Sequence, residues 1–207
     1  MAERKDQDPC LDHFREHREE IRTELLDSIA RFAPGEWDGS PLRVRSGPFS
    51  IVVDVHADVA GFSSRVITRI RAPYVNRDGF RFRLRRRSLM LDLAKHLGME
   101  DVEIGDPEFD REFIVQGNSK EELRRLLGCE RLRRDLVEAP VELLEVRDDE
   151  GWFGPDFPGE VDELYLQADG RITEPDKIDR LYRPFAETLD RLCQIGSAYR
   201  SDPNVRL

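Results

Sequence analysis

Apolar residues recur at helical spacing from Leu11 to Phe32. Leu11, Phe14, Ile21, Leu25, Ile29 and Phe32 fall on one stripe, and Ala33-Pro34-Gly35 closes the segment. The period then changes to two. Leu42 to Arg45 and Phe49 to Val55 alternate apolar with polar residues around Ser46-Gly47-Pro48, and Phe62 to Ile70 continues the alternation. Asn76-Arg77-Asp78-Gly79 supplies a turn, after which Phe80, Phe82 and Leu84 alternate with Arg81, Arg83 and Arg85. The pattern predicts a four-stranded antiparallel meander with one greasy side and one polar side.

Further along, Ser88 opens a short helix, Leu89 to Leu97, with Gly98 as its left-handed cap. Asp101 to Ile104 reads as extended, Gly105-Asp106-Pro107 as a turn and Phe113 to Gln116 as a strand. Ser119 with Glu122 three residues on is a capping-box signature, opening a helix through Leu123, Leu126 and Leu127. Gly128 separates it from a second helix, Glu130 to Val137. Val141 to Val146 and Val161 to Leu166 read as strands, flanking a loop that holds Trp152, Phe153 and Phe157 between glycines and prolines. A last amphipathic helix runs from Pro175 to Tyr199 on the stripe Ile178, Leu181, Phe185, Leu189, Leu192 and Ile195, with Pro184 predicted to kink it.

These elements predict an α+β fold: a largely antiparallel sheet of about six to seven strands with the N-terminal and long C-terminal helices packed against it. Residues 1–9 read as disordered, 10–200 as one domain and 201–207 as a tail. Apolar residues make up 39% of the chain, enough for a core because they arrive in periodic segments. No run approaches the roughly 18 to 20 apolar residues of a membrane-spanning helix. The polar start, MAERKDQDPC, lacks a secretory h-region, and Cys10, Cys129 and Cys193 are odd in number and widely spaced. Both features lead to the expectation of a reduced, cytoplasmic setting.

Charge changes the picture more than composition does. The formal net charge is −10, which argues against general nucleic-acid binding. Yet from Arg65 to Arg87 the arginines at 65, 69, 71, 77, 81, 83, 85, 86 and 87 face one acid, Asp78, whereas from Glu100 to Glu122 acids dominate. The arginine strand is the strongest local signal. Arg81, Arg83 and Arg85 share one side of it, and Arg69 and Arg71 on the preceding strand are expected opposite them. Such a row either pairs with carboxylates, those of the 100–122 stretch first, or attracts a small anionic ligand or an acidic protein partner. Trp152 and Phe153 form a second candidate: a partner-binding plug, or a loop folded onto its own core.

Catalytic signals are sparse. His13-Phe14-Arg15-Glu16-His17 matches H-x-x-E-H, but both histidines lie off the apolar stripe, so a solvated helix face is expected rather than a metal site. Asp54, His56 and Asp58 line one side of a strand and offer the alternative reading, a metal-dependent or acid–base hydrolase. Phosphate-cradling glycine loops and a G-x-S-x-G elbow are missing from the sequence, so no cofactor and no nucleophile is expected.

The segments Thr68-Arg69-Ile70-Arg71-Ala72-Pro73-Tyr74, Ile104-Gly105-Asp106-Pro107-Glu108-Phe109-Asp110, Phe113-Ile114-Val115-Gln116-Gly117-Asn118, Glu150-Gly151-Trp152-Phe153-Gly154 and Ile195-Gly196-Ser197-Ala198 resemble those of an uncharacterised family of bacterial proteins. The resemblance covers the chain from about Arg65 onward. It implies a bacterial, cytoplasmic, standalone domain and brings no activity or site residue with it. The reading that follows is a non-catalytic binding or interaction domain using the arginine-rich sheet face or the aromatic loop.

Overall fold

The computed structural model describes residues 9–33, 36–60, 63–87, 100–148, 157–198, 203 and 205. Helix α1 (Pro9–Ala30) leads into β1 (Leu42–Ser46), β2 (Phe49–Ala60) and β3 (Ser63–Val75), which pair with one another in chain order. Next come β4 (Phe82–Arg86), β5 (Glu100–Asp101), α2 (Pro107–Glu112), β6 (Phe113–Gly117), α3 (Lys120–Leu127) and α4 (Glu130–Glu138). The chain finishes with β7 (Leu143–Arg147), β8 (Val161–Asp169) and α5 (Pro175–Gln194). Among the described residues all strands join one eight-stranded sheet in the order β1-β2-β3-β8-β7-β4-β6-β5, every pairing antiparallel. The α+β architecture with terminal helices on an antiparallel sheet is therefore observed, β5 adding a two-residue edge strand to the expected number.

The meander stops at β3, which corrects the four-strand expectation. β8 fills the free edge of β3 from Ile67 to Val75, and β7 follows it, so two strands separate β3 from β4. Side chains of the Asn76–Gly79 turn explain why β4 does not fold back. Asn76 Nδ2 donates to the Phe80 carbonyl and to Asp162 at the start of β8, and Arg81 grips the same carboxylate. Asn118, just past β6, accepts from the Arg81 amide and donates to the Gly79 carbonyl, drawing β4 onto β6. Consequently Arg69 and Arg71 do not lie opposite Arg81 and Arg83.

One side of the sheet holds the core. Phe14, Ile21, Leu25 and Ile29 of α1 and Ile178, Leu181, Phe185, Leu189 and Leu192 of α5 are buried with Ile51, Val53, Ile70, Ala72, Phe82, Leu84, Val115, Leu144, Leu164 and Leu166. Pro184 lies inside α5 without ending it, and the helix stops at Gln194, short of the expected Tyr199. Ser119 accepts from the Glu122 amide as its spacing predicts. Helix α2 escapes the sequence reading, although Asp106 capping Glu108 and Phe109 ahead of Pro107 is a regular start signal. Arg86 closes α4: its Nη2 donates to the carbonyls of Leu136, Val137 and Ala139 while its guanidinium covers the Phe113 ring at 4.7 Å. The expected helix Leu89–Leu97, residues 1–8, the loop 149–156 with Trp152 and Phe153, and most of 201–207 lie outside the described residues.

Candidate functional site

The second side of the sheet is where the predicted arginines lie, and the register orders them. One row runs across all eight strands: Arg43, Val52, Arg71, Tyr165, Glu145, Arg83, Gln116 and Asp101. A neighbouring row holds Asp54, Arg69, Gln167, Leu143, Arg85 and Ile114. Paired residues share a face, so these groups sit side by side. The buried apolar residues of the described helices belong to the core on the opposite side, and Val52, Ile67 and Tyr165 are buried apart from it.

Oppositely charged groups interlock along this face. Arg69 holds Asp54 through two parallel bonds, 2.8 and 2.7 Å, and Arg71 adds a third at 3.0 Å. Arg71 also reaches Glu163 at 3.7 Å, which Arg147 grips at 2.9 and 2.8 Å. Arg83 binds Glu145 at 2.5 Å, Gln116 donates to Asp101 at 2.8 Å, and Tyr165 donates to Gln167 at 2.9 Å. The Arg147 guanidinium lies 3.6 Å from the centre of the Tyr165 ring, whose hydroxyl burial pushes up to about 12.

Depth separates the two signs. The side chain of Glu163 is fully buried and those of Asp54 and Glu145 nearly so, whereas Arg69, Arg147 and Arg83 keep 16, 22 and 23% of theirs exposed. Carboxylates form the lower layer and most guanidiniums the upper one, Arg71 being the exception with 7% of its side chain exposed. The charges that neutralise the arginine row therefore come mainly from β2, β7 and β8, not from residues 100–122. From that stretch, Glu112 pairs with Arg86 and Asp106 with Arg133.

The other predicted residues separate. Arg81 stands just ahead of β4, bridging Asp162 and Asp148. Asp54 belongs to the ion-pair network. Burial pulls its pKa up, but the Arg69 and Arg71 guanidiniums outweigh this and hold it below the usual carboxylate range. With both oxygens engaged, it is poorly placed to take a metal or a proton at neutral pH. His56 is exposed, and the side chain of Asp58 lies outside the described residues. His17, expected toward solvent or the rim of the apolar stripe, is half-buried against Ser46, whose hydroxyl donates to Glu20 at 2.6 Å. Among the described residues no three His, Cys, Asp or Glu side chains converge as metal ligands would, and no helix is long and apolar enough to cross a membrane.

Sequence reasoning passed over Glu145, Arg147, Glu163 and Tyr165. The signal was present as charged and aromatic residues alternating along β7 and β8, but their strands first had to be placed beside β3 and β4.

The sequence matches no family model and no curated protein. Among solved structures, the fold is similar to the crystal structure of the mycobacterial trehalose monomycolate transport factor A, TtfA. The TM-score is 0.49 at 13% identity, with 85% of this chain and 94% of that chain covered.

Proposed function

We propose that this chain is a non-catalytic interaction domain of a bacterial cytoplasm that receives a protein partner on the guanidinium-surfaced side of its sheet. One observation carries the reading: on the side away from the described helices, a row across the eight described strands is polar or charged at every strand but β2, where Val52 stands. Each carboxylate below holds its arginine in a fixed orientation, so presenting the row to a partner costs little side-chain entropy. Fixed charges in a defined order favour specificity and encounter rate over bulk affinity. Asp54 has its oxygens committed to Arg69 and Arg71, which weighs against the hydrolase alternative.

Photo-cross-linking tests the reading. Benzoylphenylalanine placed at His56 or Gln116 on this side is expected to capture one protein from the source cell. The same group at Glu24 of α1 or Arg180 of α5 is expected to capture none. Equal capture from both sides, or capture of nothing but the chain itself, would sink the proposal.

A further inference from the structure

Arginine partners are unevenly distributed over the described residues. Every half-buried arginine but one has a hydrogen bond or an ion pair, and the exception is Arg85 on β4. The other arginines without partners, Arg31, Arg77, Arg124, Arg134 and Arg180, are exposed to solvent. Arg85 lies in the second row of the face, between Ile114 of β6 and Leu143 of β7, both half-buried and outside the core. Two residues away on either side, Arg83 is taken by Glu145 and Arg87 donates to the Asp110 carbonyl. Of the nearby carboxylates, Glu142 accepts from Arg65 and Gln167 and Asp101 from Gln116, while Glu103, just past β5, is exposed and makes no bond to Arg85.

We propose that Arg85 is the anchor of the partner surface, receiving a single carboxylate from an acidic, apolar-flanked segment of the partner, with Ile114 and Leu143 as its walls. The inference rests on the interaction reading above and names the chemistry of what binds. Charge selects the ligand. Arg85 itself carries one unit of charge with no described carboxylate bonded to it, which a single carboxylate matches. A dianionic phosphate would bring surplus negative charge beside Glu145 and Glu142. The partial burial of the Arg85 stem against apolar side chains strengthens a pair formed there over one in open water. The flanking Ile114 and Leu143 call for apolar residues two positions to either side of the acid, since those share a face in an extended segment.

The probe is the peptide N-acetyl-Leu-Ala-Glu-Ala-Leu-amide, titrated into the full chain while the Arg85 Nε–Hε resonance and the Ile114 and Leu143 methyls are followed by NMR. A saturable shift of all three is expected, with affinity falling about tenfold in Arg85→Met and unchanged in Arg124→Met. Arg85→Met keeps the stem on its apolar neighbours, and an unaltered melting temperature confirms that the fold is retained. Three outcomes overturn the anchor: no saturable shift, an equal response to the Gln-for-Glu peptide, or tighter binding of inorganic phosphate than of the peptide. If cross-linking maps a partner to this side while the peptide leaves Arg85 silent, the anchor falls and the interaction reading stands.

Discussion

Asp54 receives two guanidiniums on its two oxygens while almost wholly buried, so its ionisation is tied to folding. Its pKa is depressed in the folded chain. A depressed carboxyl contributes stability that is complete above its unfolded value, about pH 4, and is lost as pH falls through the folded value. Asp54→Asn leaves the half-buried Arg69 without a carboxylate and the buried Arg71 with Glu163 at 3.7 Å, and is expected to cost about 3–5 kcal/mol at pH 7. As pH falls below 4 the unfolded carboxyl takes up its proton before the folded one does, so the stability Asp54 contributes shrinks and the gap between the two proteins should narrow. Urea unfolding at pH 7 and at pH 3 checks this; a constant gap would mean that Asp54 is not held ionised by its neighbours. From sequence, Asp54 and His56 offered a metal-type pattern. Identity and spacing along one strand were legible, but the arginines that consume the carboxylate are cross-strand neighbours and were not.

Strand β4 shows how far periodicity reaches at the scale of an element. The alternation of Phe82 and Leu84 with Arg83 and Arg85 assigns the two sides correctly: both apolar residues are buried in the core and both arginines face the other way. Phe82→Ala removes a fully buried ring and is expected to destabilise the chain by about 3–5 kcal/mol. A negligible change in thermal unfolding would mean that the ring is not in the core. Periodicity says nothing, however, about which strand lies alongside. A turn after β3 suggested a hairpin, since sequential strands are neighbours more often than not. Asn76, Arg81 and Asn118 direct the turn elsewhere by bonding to Asp162, Gly79 and the Arg81 backbone. Helix α2 was missed for a related reason: six residues are too few to show a helical period, and only its Asp106 cap and Pro107 announce it.

Across the whole molecule, protection should follow the strand order. β3, β8 and β7 sit inside the sheet with neighbours on both edges. The far end of the β2–β3 hairpin extends past them, because β1 begins opposite Val53 and β8 ends opposite Ile67. The Val55 amide donates to the Gly39 carbonyl, so the Ala57 amide, two residues on, points to the same outer side, where β1 no longer runs. Native-state hydrogen exchange is expected to be fastest by orders of magnitude at Ala57 and slowest at central amides such as those of Ile70 and Leu166. Equal protection at Ala57 and Ile70 would show that something else covers the ribbon.

By itself the amino-acid sequence determined the periods, the side of each strand that turns inward, the helix starts marked by Ser119 and Pro175, and the concentration of arginine on β3 and β4. All of these depend on residues a few positions apart. Only the tertiary structure decided that β8 and β7 lie between β3 and β4, and therefore that Asp54, Glu145 and Glu163 pair with Arg69, Arg71, Arg83 and Arg147 while Arg85 is left over. Strand pairing joins residues as many as a hundred positions apart, and a side-chain period of two is the same whichever neighbour a strand acquires.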